Sequence, residues 1–176
     1  TTPLSIVCDM NGSARTLSID NSYFNKQGLG FYAINNEPRK IVHAIIPEPE
    51  NLVYCANEME RLQNEGKTDA ILGYMPDCDG DRGNIVFWNK KEKKAEVLKA
   101  QEVFALSVLS ELAFLAYSGK TGENSKIAIS VNDPTSMRIE EIAKAFGALV
   151  ARAEVGEANV VNRARELRAE GYEVRI

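Results

Sequence analysis

The chain is short of the residues that would place it at once. Its 176 residues include three cysteines, one histidine and one tryptophan. Cys8, Cys55 and Cys78 are odd in number and far apart, which excludes a disulfide framework, and with His43 they share no zinc-ligand spacing. Packing in the core is their expected role. No basic cluster is dense enough to hold nucleic acid. Lys90, Lys91, Lys93 and Lys94 are interrupted by Glu92, and the net charge is -4. That run reads as the solvated tip of a hairpin. No membrane partner is expected either. The longest apolar run, residues 103–117, is broken by Ser107, Ser110 and Glu111 and is too short to cross a bilayer. No signal peptide opens the sequence, so a reducing, cytoplasmic setting is the default expectation.

What is present is ordinary except in one place. Hydrophobic residues make up 44% and charged residues 26%, as in a soluble globular protein long enough to bury a core. The exception is Asp77-Cys78-Asp79-Gly80-Asp81-Arg82-Gly83. Three like charges this close repel one another and are costly to bury. A hard divalent cation removes that penalty, because Mg²⁺ or Ca²⁺ wants carboxylate oxygens converging on one point. Asp77, Asp79 and Asp81 are therefore candidate metal ligands. An EF-hand is excluded, since its glycine and terminal glutamate positions hold Arg82 and Trp88. Arg82 beside a bound cation points to a phosphate held by both. Apolar stretches at 68–75 and 84–88 flank the loop, which puts it at a strand end, where open α/β sheets place ligands.

Strand and helix patterns alternate along the chain. Residues 5–9 form an apolar strand ending in the turn Asn11-Gly12, and residues 31–34 form another. Pro49 is expected to open a helix with Leu52, Cys55, Met59 and Leu62 on one face, stopped by Gly66. A helix over about 99–117 is apolar nearly all round and should be buried on more than one side. Gly119-Lys120-Thr121 is not a P-loop, because Phe114 stands at the earlier glycine position and a helix, not a strand, precedes it. Beyond this polar, Gly-containing linker come a strand (126–131), a helix (135–146), a strand (149–155), a helix (157–170) and a last strand (172–176). That order implies a parallel sheet with right-handed crossovers.

The expected fold class is α/β: two consecutive α/β units with mixed to parallel sheets flanked by helices. Their expected bounds are 1–119 for the unit with the metal loop, 120–125 for a linker and 126–176 for a truncated second unit. A start at Thr1-Thr2-Pro3 and an end on a strand suggest a piece of a longer protein.

These signals, in this order, resemble the middle of the α-D-phosphohexomutases, the family of phosphoglucomutases, phosphomannomutases and phosphoglucosamine mutases. Val7-Cys8-Asp9-Met10-Asn11-Gly12-Ser13-Ala14 is similar to the strand and turn opening that family's second domain. Glu48-Pro49-Glu50-Asn51-Leu52 is similar to its Pro-Glu-Asn-Leu helix start, and residues 77–82 match its metal loop position for position. Ala153-Glu154-Val155-Gly156-Glu157 resembles a third-domain loop. The resemblance implies a cytoplasmic enzyme, an intramolecular phosphotransferase that interconverts hexose 1-phosphate and hexose 6-phosphate through a phosphoserine and a bisphosphate. It implies Mg²⁺ on Asp77, Asp79 and Asp81, a phosphate contact from Arg82, and hexose phosphate near Gly156 and Glu157. The family's Ser-His-Asn-Pro-like nucleophile loop does not occur in this sequence, so the chain alone is expected to be inactive. Ser13 follows a strand but reads as a turn residue. Two alternatives stay open. One is a non-catalytic relative, as Asn132 and Glu157 would allow where relatives carry Lys and His. The other is an unrelated Mg²⁺-dependent phosphohydrolase with an aspartate nucleophile.

Overall fold

An apolar run with no polar alternation becomes a strand buried on both faces, and β1 (Ser5–Asp9) is buried at all five residues. The structure, a computed structural model, describes residues 4–46, 48–122 and 125–176. Thr1-Thr2-Pro3 and the expected linker's Glu123 and Asn124 lie outside the described residues. β1 pairs in parallel with β2 (Gly30–Ile34) and β3 (Ala70–Pro76). Antiparallel β4 (Gly83–Asn89) and β5 (Lys94–Val97) complete the sheet, in the order β2-β1-β3-β4-β5. The lysine-rich run is the tip of the β4–β5 hairpin, as its composition suggested.

Leu52 with Cys55, Met59 and Leu62 of α2 (Val53–Asn64) forms one core with Val7, Ala70, Met75 and Val86. Gly73 makes this packing possible. A Cβ there would stand 2.6 Å from Cys55 Sγ and 3.2 Å from the Val7 carbonyl oxygen. Pro49 does not open α2; residues 48–52 form a turn in which Asn51 and Leu52 donate backbone N–H groups to Glu48 O, and the helix starts at Val53. A segment without clear periodicity forms the short helix α1 (Asp20–Lys26), whose Phe24 stacks on Phe31 and leans on Tyr74.

The second unit is a three-stranded parallel sheet in the order β7-β6-β8, from β6 (Ile127–Asn132), β7 (Leu149–Ala153) and β8 (Glu173–Val174). Two cores flank it. One joins α3 (Ala100–Tyr117) and α4 (Arg138–Ala145) to Ile127, Ile129 and Val131. The other joins α5 (Glu157–Ala169) to Ala128, Ala151 and Val174.

Two expectations are corrected here. The chain divides at Ala100/Gln101 and not in the 120–125 linker, because Ala105, Val108, Leu112 and Leu115 of α3 are buried in the second unit's core. Nor is α3 buried on several sides. Its other face leaves Leu106, Leu109, Phe114 and Tyr117 between 40% and 92% exposed.

Candidate metal centre

The acidic run is the six-residue connection between β3 and β4, which pair as far as Pro76 and Gly83. Asp77 N donates to Arg82 O at 3.0 Å and closes the loop. Inside it the buried Asp77 carboxylate organises the backbone, since its Oδ1 accepts from Gly80 N at 3.0 Å and Arg82 N at 3.2 Å. The turn this requires has φ of +80° at Gly80, a conformation glycine adopts without strain.

The loop brings the predicted ligands together. One carboxylate oxygen each from Asp77, Asp79 and Asp81 lies within 4.8 Å of the others, with Asp79 and Asp81 open to solvent. Mg²⁺ with oxygens at 2.0–2.1 Å needs neighbouring ligands about 3 Å apart, a gap that small side-chain rotations close. The charges carry the mark of this crowding. Asp81 is held above the ordinary carboxylate value, first by its hydrogen bond with Asp77 and then by the charge of Asp79. Burial would raise Asp77 too, but hydrogen bonds from the Arg82 backbone and side chain, Asp81 and Gly80 outweigh it and hold Asp77 low. An all-oxygen donor set with like charges in excess fits Mg²⁺ well.

Arg82 is not wholly free for a phosphate. Its Nε donates to Asp77 Oδ2 at 2.8 Å and lies 3.7 Å from Asp81 Oδ1, yet the side chain is 69% exposed. It is therefore tied to the loop through Nε while most of the side chain stays open to solvent. Gly156 and Glu157 belong to the second unit. Gly156 has φ of +139° and its N–H donates to Asn132 Oδ1 at 3.0 Å, while Glu157 begins α5 and is exposed. Asn132 thus has a clear task in fixing the loop that precedes α5. Ser13 caps the turn after β1, its Oγ accepting from Arg15 N at 3.3 Å.

Sequence reasoning missed a polar knot beside the site. Asp9, fully buried at the end of β1, meets His43 Nε2 through Oδ2 at 2.8 Å. Its Oδ1 accepts from Asn11 N and Asn35 Nδ2. Asn11 answers by bonding Val42 N, His43 N and His43 O, and the imidazole stacks on Tyr54 at 4.3 Å. The segment around residues 42–44 is pinned by side chains, which leaves no periodicity for sequence to reveal.

The three cysteines separate by environment. Burial pushes the Cys8 thiol up to about 12, despite a hydrogen bond with Tyr74 that works the other way, and burial raises Cys55 further. Cys78 lies exposed in the acidic loop. A thiol reagent at pH 8 should therefore label one cysteine fast in the native protein and all three in denaturant, because the thiolate is the reactive form. Mn²⁺ should slow the fast phase. Two fast thiols in the native state would contradict this geometry.

No protein-family model matches the chain, and no curated protein matches it. Solved structures do. A phosphoglucomutase/phosphomannomutase family protein from Burkholderia thailandensis shares 19% identity over 96% of this chain and 33% of its own, with a TM-score of 0.72. The fold is that of the α-D-phosphohexomutases. N-acetylphosphoglucosamine mutase from Aspergillus fumigatus, in complex with GlcNAc-6P and magnesium, shares 12% over 93% of this chain and 30% of its own, with a TM-score of 0.61. A serine-to-alanine variant of that mutase with glucose 1,6-bisphosphate shares 16% over the same coverage, with a TM-score of 0.59. The chain thus spans about a third of the length of these phosphohexomutase structures.

Proposed function

We propose that this chain is the metal-bearing part of a phosphohexomutase that interconverts hexose 1-phosphate and hexose 6-phosphate through a phosphoserine and a bisphosphate. The observation that carries the proposal is the convergence of Asp77, Asp79 and Asp81 in a hydrogen-bonded loop at the end of β3, within this fold. A neighbour of the same fold is known in complex with a hexosamine phosphate and magnesium.

The three aspartates would hold Mg²⁺, which when bound neutralises charge on the transferring phosphoryl group. Asp77, already fixed by Gly80 and Arg82, sets the loop's shape, and the exposed Asp79 and Asp81 would supply the other two carboxylate oxygens. Arg82 presents the outer edge of its guanidinium to a phosphate oxygen while its Nε stays on Asp77. Gly156, lacking a side chain, would let a sugar phosphate approach its loop, with Glu157 facing it. In each half-reaction one serine Oγ–P bond breaks and one sugar O–P bond forms, or the reverse, with the attacking hydroxyl giving its proton to a base and the departing oxygen taking one up. Positioning and electrostatics supply most of such catalysis. Neither the serine nor the base is assigned to a residue of this chain, which on this proposal is inactive alone and cytoplasmic.

The test is a coupled assay of the protein made from its complete reading frame. Hexose 1-phosphate should convert to hexose 6-phosphate with Mg²⁺, and Asp79→Ala should slow turnover by on the order of 10²-fold or more. No interconversion of any common hexose phosphate, with metal bound, would favour a non-catalytic relative. Phosphate release with a phosphorylated aspartate would favour a phosphohydrolase.

A further inference from the structure

The metal loop does not stand unsupported. The turn after β1 runs beneath it, where Ala14 N donates to Cys78 O at 3.0 Å. The next residue, Arg15, extends its side chain under Gly80 so closely that a Cβ there would lie 2.6 Å from Arg15 Cδ and 3.1 Å from Cγ. The guanidinium end is anchored away from the loop. Its Nη2 donates to Asp20 Oδ1, and Tyr74 OH donates to the same oxygen at 2.9 Å. Asp20 is buried, at 3% exposure. One side chain thus spans from a buried anchor on α1 and β3 to the tightest point of the acidic loop.

The arrangement is costly as plain structure. Arg15 Nε and Asp20 Oδ2 are buried without a hydrogen-bond partner, and an unsatisfied buried polar atom lowers stability. An apolar pair would fill the space without that penalty. Such a cost is readily understood where a geometry has to be kept.

We infer that Arg15, held by Asp20 and Tyr74, is a positioning residue that supports the Gly80 turn and thereby sets the convergence of Asp77, Asp79 and Asp81. The inference rests on the metal-site reading above for its function, and on the contacts alone for its geometry. Partners lying behind metal ligands typically tune affinity by 10–100-fold. Methylene groups packed against Gly80 limit how far the turn can drop, and the anchored guanidinium keeps those methylene groups in place.

The experiment has two readouts on the chain as it stands, Mn²⁺ affinity by calorimetry and amide exchange at Gly80 and Arg82 by NMR. Those amides donate to Asp77 Oδ1 and report the turn directly, with or without metal. In Arg15→Ala, Mn²⁺ should bind about tenfold more weakly, and both amides should exchange faster. Arg15→Lys keeps the stem and a charge for Asp20 and should recover most of the loss. If Arg15→Ala does not fold, Asp20→Asn replaces it and should shift both readouts in the same direction. Unchanged amide protection in a folded variant overturns the inference, as does unchanged Mn²⁺ affinity in a parent that binds Mn²⁺. A parent that binds no Mn²⁺ sinks the metal reading instead, and the amide exchange still decides the role of Arg15.

Discussion

Asp79→Ala should weaken Mn²⁺ binding by on the order of 100-fold while the chain unfolds within about 2 °C of the parent. The two effects separate because the loop divides its labour. Asp77 accepts hydrogen bonds from Gly80, the Arg82 backbone and the Arg82 side chain, so it builds the turn as well as offering an oxygen. Asp79 is exposed and offers its oxygen from outside that set of bonds. Removing it takes away a ligand and relieves repulsion among the three carboxylates, so stability holds or rises slightly. A hard cation left with two carboxylates should lose on the order of 100-fold in affinity, beyond what the loss of a supporting partner costs. Calorimetry with Mn²⁺ and a thermal melt suffice. Undiminished binding by Asp79→Ala would remove the metal assignment, and loss of fold would mean that Asp79 shapes the loop after all.

Asp9→Ala should destabilise the first unit by about 3 kcal/mol, since three donors lose their acceptor at about 1 kcal/mol each. The carboxylate is fully buried and serves three donors at once: the His43 ring, Asn11 N and Asn35 Nδ2. Alanine takes the acceptor from all of them, and each orphaned donor carries its desolvation penalty. Urea unfolding followed by Trp88 is a clean readout, since this is the only tryptophan and it packs against the first unit's core. A change below about 1 kcal/mol would mean that the imidazole and the two asparagine donors find other partners. Metal binding should survive in the folded fraction, because the bonds of Asp9 run to His43, Asn11 and Asn35 and not to the acidic loop.

Much of the site was legible because its chemistry lies in consecutive residues. Three carboxylates alternating over five positions need no tertiary contact to be seen, and one turn suffices to bring them together. Parallel strands were legible for a related reason. Residues 5–9 and 127–131 are buried on both faces, so they appear in sequence as mostly apolar runs without strict alternation. Gly156 was singled out through a resemblance, and its φ of +139° is a backbone conformation that favours glycine whatever its role.

Other features were decided only by the folded chain. The face that α3 buries could not be read from a helix apolar all round, because no periodicity distinguishes Leu112, buried, from Leu109, 42% exposed. The unit boundary followed from that choice. Gly73 reads as a weak point in a strand until Cys55 and Met59 are seen to need its missing side chain. Arg15, Asp20 and Tyr74 are separated by up to 59 residues in sequence yet share one carboxylate oxygen. The sequence by itself determined the acidic loop, its oxygen chemistry and the α/β order, since these depend on neighbours along the chain. Tertiary structure decided what stands beneath the loop and what pins the segment beside it, because those contacts close over long stretches of chain and leave no local pattern.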